Sequence, residues 1–337
     1  MKETDEKRGL SRRSFLRTTA GTLAVTGFTG IGTLRAAEAG KLATLIDLSL
    51  CDGCPTMTVP ACVSACRDLN RDTIPAIADP IPVPWPRKTV EDWSDRREVS
   101  DRLTPYNYLY VHRVEIDQGG RQKTLFVPRR CMHCDNPACA TICPFSANHK
   151  FENGAVVINQ NRCFGGAKCK AVCPWKIPQR QSGVGIYLHI LPDYMGNGVM
   201  YKCDLCHDRL TRGEQPACIE ACPRQAMLIG PREEILAEAE GRARNMRGYL
   251  YGKDENGGTS TIYVSPVSFD LIDAFMAREP GRPGMKPGVK REMAESDGLG
   301  KAVLAAPALG AVVGAAGAFR WLAGRKTRLV KEGKNNG

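Results

Sequence analysis

The chain has 337 residues, of which 42% are hydrophobic, a formal net charge of +11 and fifteen cysteines. Such a length buries one or two cores, and so many thiols exceed what an ordinary enzyme uses, so the composition points to a protein that binds something through sulfur. Residues 1–39 hold seven Lys/Arg against four Asp/Glu, and residues 320–337 hold six against one, which leaves the body at only about +3; basicity confined to the two ends excludes nucleic acid as the expected partner.

In chain order the first element is SRRSFLR, Ser11 to Arg17, followed by an uncharged stretch from Thr18 to Thr33 and by Ala37-Glu38-Ala39. Paired Arg12 and Arg13, a short apolar region and an A-x-A site are the parts of a twin-arginine export signal. Residues 1–39 are therefore expected to be removed and the mature chain to start at Gly40. That route carries folded cargo, which suits a protein that takes up its cofactors before export.

The run KLATLIDLSL then leads into Cys51, Cys54, Cys62 and Cys66, spaced C-x2-C-x7-C-x3-C. A proline-rich insertion follows over about residues 71–105. YNYLYVHRVEI and KTLFVPRR read as a pair of strands feeding Cys131, Cys134, Cys139 and Cys143, spaced C-x2-C-x4-C-x3-C-P. AVVIN precedes Cys163, Cys169 and Cys173, where Gly166 stands in the place of a second cysteine. GIYLHI, read as a strand, precedes Cys203, Cys206, Cys218 and Cys222, spaced C-x2-C-x11-C-x3-C-P, and AMLIG follows. EEILAEAEGRARNMRG reads as a helix and REPGRPGMKPGVKREMAESDG as a polar tether. Strand, cysteine loop, short helix and strand is a ferredoxin-like rhythm. The expected class is α+β, with tandem ferredoxin-like domains, the export signal in front and a membrane helix behind.

Each cysteine group ends in C-x3-C, and Pro144, Pro174 and Pro223 follow three of the four, with Arg67 in that place in the first. Spacings of this kind hold iron-sulfur clusters, in which a loop supplies three thiolates and the cysteine before proline serves another cluster. Structural zinc pairs two C-x2-C knuckles and has no use for the C-x3-C-P endings. A disulfide scaffold leaves one of fifteen thiols over. Cys203-Asp204-Leu205-Cys206-His207 is also a haem c attachment string, but Cys218 and Cys222 already give its cysteines a cluster role.

From Ala302 to Phe319 the chain carries 18 residues without a charge. This is just long enough to span a bilayer, so residues 299–324 are expected to be a transmembrane anchor. Arg325, Lys326, Arg328, Lys331 and Lys334 then place the C-terminal tail, 325–337, in the cytoplasm and the cysteine domain outside. Gly310 and Gly314 give a G-x-x-x-G spacing suited to a second membrane helix.

The four groups, with KCDLCHDRLTRGEQPACIEACPRQAMLIG as the nearest match, resemble the four-cluster ferredoxin-like electron-transfer subunits of membrane respiratory oxidoreductases. These include the iron-sulfur subunits of formate dehydrogenases, of dimethyl sulfoxide and polysulfide reductases and of nickel-iron uptake hydrogenases. Export signal, four groups and C-terminal anchor together look most like the hydrogenase-2 type. The likeness covers about residues 40–235 by motif and does not explain the proline-rich insertion. It implies a cluster domain over 40–253, followed by an extension and tether over 254–298.

Carried over by position, the resemblance implies one cluster on Cys51, Cys54, Cys62 and Cys222, a second on Cys203, Cys206, Cys218 and Cys66, and a third on Cys131, Cys134, Cys139 and Cys173. Cys163, Cys169 and Cys143 remain for the fourth, one ligand short. Three [4Fe-4S] clusters and one [3Fe-4S] cluster are the expected cofactors, the missing thiolate raising the potential of the fourth centre. A cubane with water or a side chain on its fourth iron is the alternative. His133 is a possible donor to cluster sulfur or a solvent-facing loop residue, His207 a surface or neighbouring residue, and Trp175 packing over a cluster.

The chain lacks a dinucleotide fingerprint, a P-loop and a nucleophile elbow, and no catalytic residue is assigned. It reads as a wire between a catalytic oxidoreductase subunit, a hydrogenase before the others, and an integral membrane quinone-reactive subunit. The expected location is the periplasmic face of the cytoplasmic membrane. The same relay in a formate dehydrogenase or a molybdopterin sulfur-compound reductase is the alternative, with a stand-alone iron-sulfur reductase as a further one.

Overall fold

The computed structural model describes residues 40–85, 88–118, 120–190 and 196–293. The expected export signal, membrane anchor and basic tail lie outside these residues. Among the described residues no helix is long and apolar enough to cross a membrane.

The first half contains β1 (Leu42–Asp47), α1 (Ala61–Leu69), the hairpin β2 (Tyr110–Gln118) and β3 (Arg121–Arg129), α2 (Ala138–Thr141), β4 (Asn148–Lys150) and β5 (Val156–Ile158). There follow α3 (Lys168–Ala171), β6 (Gln179–Gln181), α4 (Tyr187–Ile190), β7 (Val199–Tyr201), α5 (His207–Thr211) and α6 (Ala217–Glu220). The chain closes on β8 (Met227–Pro231), α7 (Arg232–Met246), β9 (Tyr249–Tyr251), β10 (Thr261–Ser265) and α8 (Phe269–Phe275).

A four-stranded sheet in the order β8-β1-β10-β9 carries the rest. β1 pairs antiparallel with β8 and parallel with β10, and β9 pairs antiparallel with β10. Alternation along β1 sorts its side chains to two faces. Ala43 and Leu45, with Ile262 and Val264 of β10, meet Ile235, Ala239 and Ala243, which recur every four residues on α7. Ile46 and Tyr263 point the other way, into a core shared with the cysteine loops. A sheet covered on both faces reads as an unbroken apolar run, which is why LATLID is buried at every position. α7 is oriented by Glu233 and Glu234 in its first turn, favourable at the helix's positive end, and by Arg242 Nη1 at 3.0 Å from Asp47 Oδ2 of β1.

The strand pair expected before the second cysteine group is the β2–β3 hairpin, in register from Tyr110↔Arg129 to Gln118↔Arg121. GIYLHI is not a strand. It forms α4, and the strand before the fourth group is β7, paired with β6. Gly185, at φ +95, turns the chain into α4, with Leu188 N–H donating to Gly185 O at 3.2 Å. A short apolar run fits either period.

Beyond residue 253 the chain stays in contact with the body. β10 lies inside the sheet, and residues 279–293, read as tether, pack on the body: Met285 is buried, Gly284 O accepts from Arg129 Nη2 at 2.9 Å, and Glu292 N–H donates to Asn256 Oδ1 at 2.9 Å. The Gly/Pro-rich composition there serves turns against the hairpin, and its polar backbone is spent on neighbours.

Truncating Leu45 to alanine, at the fully buried contact between sheet and α7, is expected to cost about 2–5 kcal/mol, read as a lowered guanidinium unfolding midpoint by circular dichroism. His112 on β2 has its pKa lowered from 6.5 to about 4 by burial first, then by Arg282 and Arg129, with Glu279 opposing. The unfolded chain therefore binds the proton more readily, so stability is expected to fall as pH drops from about 6.5 towards 4. His112→Gln should flatten that part of a pH–stability curve.

Candidate metal centres

Each cysteine group builds a loop and a short helical turn from the same local rules. Pro60, Pro137 and Pro216, at φ −54, −74 and −55, lead into α1, α2 and α6, where a fixed φ and a missing N–H cost nothing. The two cysteines of each C-x3-C then stand about one helical turn apart. Cys-Pro ends the turn in three groups, and Ser146, Lys176 and Gln225, all at positive φ, return their N–H to the oxygens of Cys143, Cys173 and Cys222 at 3.2, 3.0 and 3.1 Å. Arg67 replaces that proline in the first group, and α1 runs on to Leu69.

Among the described residues no three Cys, His, Asp or Glu side chains converge on a single metal-ion position; the thiols instead border wider spaces, here called cages. Cys51, Cys54, Cys62 and Cys222 line one cavity of about 20 Å³. Burial pushes the Cys51 thiol up to about 11, with Cys222 and Cys54 adding to it. Asp52 ties the cage across the chain: its Oδ1 accepts from Cys54 N–H at 2.9 Å and its Oδ2 from Arg224 Nε at 2.6 Å. In the second cage burial raises Cys66 strongly, and Cys218, Cys203 and Cys206 act on it in that order.

The third cage joins Cys131, Cys134, Cys139 and Cys173. Burial raises Cys134, then Cys131 and Cys173, and it raises Cys173 to about 12, then Cys139. In the fourth cage Cys143, Cys163 and Cys169 line a cavity of about 300 Å³. α1 packs on α6 and α2 on α3, so the first cage adjoins the second and the third adjoins the fourth.

Hydrogen-bond donors are aimed at the sulfurs. Cys203 Sγ accepts from Leu205 N–H at 3.4 Å, Cys163 Sγ from Met200 N–H at 3.4 Å, and Cys134 Sγ from Asn256 Nδ2 at 3.2 Å. His133 is buried and links two cages. Its backbone N–H donates to Cys131 Sγ at 3.5 Å, and its Nδ1 accepts from Val156 N–H at 2.9 Å. That leaves the ring proton on Nε2, 3.5 Å from Cys203 Sγ. Burial, then Lys202 and Arg130, keep this imidazole neutral.

Two cations are buried among the thiols. Arg130 places Nη1 3.8 Å from Cys203 Sγ and Nη2 2.6 Å from Thr44 Oγ1, while its Nε has no partner among the described residues. Lys202 Nζ donates to the carbonyls of Val156 and Cys203. Neither forms an ion pair with a carboxylate among the described residues. An unpaired buried charge costs several kcal/mol, so these two call for an anion beside the cages. Thiolates loaded with a net-negative iron-sulfur cluster supply one, and buried thiols with donors aimed at sulfur fit the same group.

The fourth cage is shaped differently. α3 is entered through Ala167 at φ +54 in place of proline, a conformation that costs an alanine about 1 kcal/mol. Gly165, at φ +61, lies against the backbone of Asn197 and Gly198, whereas a Cβ at Gly166 would meet nothing within 4 Å. The proline-rich insertion straps this side. Ala78 N–H donates to Gly183 O at 2.9 Å, Trp93 N–H to Gln181 Oε1 at 2.9 Å, and Glu91 pairs with Arg180 at 2.8 Å. Arg180 Nη1 in turn donates to Gly165 O at 3.2 Å. The insertion thus buttresses the loop that lacks a cysteine.

His207 stacks on Phe151 and shares a 3.1 Å hydrogen bond with Asn153, and Trp175 is buried with Nε1 donating to Tyr251 OH at 2.7 Å. Arg130, Lys202 and Asn256 were not singled out from sequence. A signal existed for the first two, since each stands directly before the first cysteine of its group.

Two models of the 4Fe-4S dicluster domain match the chain, one over residues 50–147 and one over 122–232. Among curated proteins, the hydrogenase-2 operon protein HybA of Escherichia coli O157:H7 is 28% identical over 78% of this chain and 83% of its own length. The iron-sulfur subunit of the nitrate-inducible formate dehydrogenase of Escherichia coli K12 is 30% identical over 66% and 68%. A probable anaerobic dimethyl sulfoxide reductase chain, YnfG, of the same strain is 32% identical over 56% and 73%.

Adjacent glycines should behave oppositely. Gly165→Ala forces a methyl into the carbonyls of Gly198 and Asn197 at positive φ and is expected to cost about 1–3 kcal/mol and deplete iron. Gly166→Ala is expected to leave thermal midpoint and iron content unchanged.

Proposed function

The chain belongs to the 4Fe-4S dicluster, ferredoxin-like iron-sulfur subunits of respiratory oxidoreductases, and from that premise we propose that it relays electrons between a hydrogenase catalytic subunit and a quinone-reactive membrane subunit. The observation that carries the relay is the contact between cysteine groups: α1 packs on α6, α2 packs on α3, and His133 bonds Cys131 Sγ while its ring lies 3.5 Å from Cys203 Sγ. A hydrogenase is placed first because the hydrogenase-2 operon protein matches over the largest shares of both chains among the relatives named above. A formate dehydrogenase is the second reading, on the likeness to its iron-sulfur subunit.

Cys51, Cys54, Cys62 and Cys222 hold the first centre, Cys203, Cys206, Cys218 and Cys66 the second, and Cys131, Cys134, Cys139 and Cys173 the third. Cys143, Cys163 and Cys169 hold the fourth. Bound clusters supply reversible one-electron chemistry; the chain's residues space them, donate hydrogen bonds to sulfur and exclude water. The first three are [4Fe-4S] and the fourth [3Fe-4S], a reading supported by Gly166, which has no side chain to offer iron, in the place of the fourth thiolate. The twin-arginine sequence, the uncharged stretch 302–319 and the basic tail behind it support a protein exported to the periplasmic face of the membrane and held there by one C-terminal helix.

Gly166→Cys is the sharpest test of the fourth centre, since the site has open space for the added sulfur. Oxidised wild-type protein is expected to show a [3Fe-4S] electron paramagnetic resonance signal. The variant should lose it and gain about one iron per chain. Wild type without that signal, and with iron for four cubanes, would refute the three-iron assignment. For the partner, nickel is expected in the complex that co-purifies from membranes; molybdenum or tungsten in its place would favour the second reading.

A further inference from the structure

Arg130 and Lys202 occupy the junction of the two central cages. Arg130 enters from the end of β3, directly before Cys131 of the third cage, yet its guanidinium reaches Cys203 of the second. Lys202 makes the reciprocal connection. It leaves β7 directly before Cys203, and its Nζ donates to the carbonyl of Val156, whose N–H in turn holds the His133 ring between the two cages. Each cation therefore reaches beyond the cysteine group that it precedes in the chain.

The first cage lacks this arrangement. The cation beside it, Arg224, is exposed, pairs with Asp52 at 2.6 Å and is screened by water. Thr44 from the central sheet fixes Arg130, and the carbonyls of Val156 and Cys203 fix Lys202, so neither side chain can swing out to solvent without abandoning hydrogen bonds it could not replace inside.

We propose that Arg130 and Lys202 are potential-setting residues, raising the reduction potentials of the second and third centres relative to the first by favouring the added electron. The inference rests on the iron-sulfur reading of the cages. Reduction adds one negative charge to a centre, and a fixed buried cation stabilises that charge more than it stabilises the oxidised centre, because little solvent screens it. The two central centres are thereby kept reducible inside a protein that otherwise shuts water away from them.

The test is a potentiometric titration, followed by electron paramagnetic resonance, of the full chain in its membrane complex, with iron and sulfide analysis of every sample. Arg130→Gln is expected to move the midpoint of one centre to lower potential. Lys202→Met is expected to lower two centres and to leave the centre bearing Cys51 where it was. Arg130→Lys, which keeps the charge, should restore most of the lost potential and serves equally if the glutamine variant does not load. Unchanged midpoints at full iron content, an equal shift of all four centres, or a lysine variant shifted as far as the glutamine one would each overturn the proposal. Wild-type protein without iron would instead overturn the cluster reading on which it stands.

Discussion

Everything in this protein depends on one short-range constraint: two cysteines four residues apart, on one helical turn, face two different cages. In the proposed assignment Cys62 serves the first and Cys66 the second; Cys218 and Cys222 repeat the exchange in reverse; Cys139 with Cys143 and Cys169 with Cys173 do the same for the third and fourth. A turn of helix rises about 5.4 Å, so cage spacing is fixed by backbone geometry before any tertiary contact is made. α1 packs on α6 and α2 on α3, which closes each pair of cages from both sides. The central sheet then ties in the first pair through the loop that leaves β1 and the one that enters β8, and the second through Thr261 of β10, whose Oγ1 donates to Cys131 O at 3.3 Å.

That dependence explains what could be read in advance. Cysteine spacing is local, so all four groups, their proline stops and the departure at Gly166 are visible in the string of residues. Alternation and burial along LATLID, and the strand pair before Cys131, are local too. What escaped is tertiary. GIYLHI carries no mark that tells a helical turn from a strand, and β7, only three residues long, is a strand because β6 lies beside it. Residues 279–293 have the composition of a linker and the contacts of a core segment. Arg130 and Lys202 read as ordinary basic residues until their burial is seen, since a sequence does not say which charges lose their water.

The proline-rich insertion takes on meaning through the same logic. Three of the cysteine loops are braced by a proline at the helix entry, and the third is not; Ala167 sits there in a left-handed conformation. Support comes instead from outside, through Glu91, Arg180 and the Gly165 carbonyl. A loop with one ligand fewer has one anchor fewer, and the strap replaces constraint that a cysteine would have supplied from within. Trp85 and Phe145, both exposed, stand at the edge of the same cavity, so the fourth cage opens on an aromatic margin.

The buried cations bear finally on the order of events in a cell. An empty chain that closed around Arg130 and Lys202 would trap two positive charges with nothing to answer them, and the cages would hold thiols that burial keeps protonated. Folding to the compact state and receipt of the metal centres are therefore one event, with protons released as iron arrives. Compactness of this domain thereby becomes a report on whether its two buried cations have an anion to answer them.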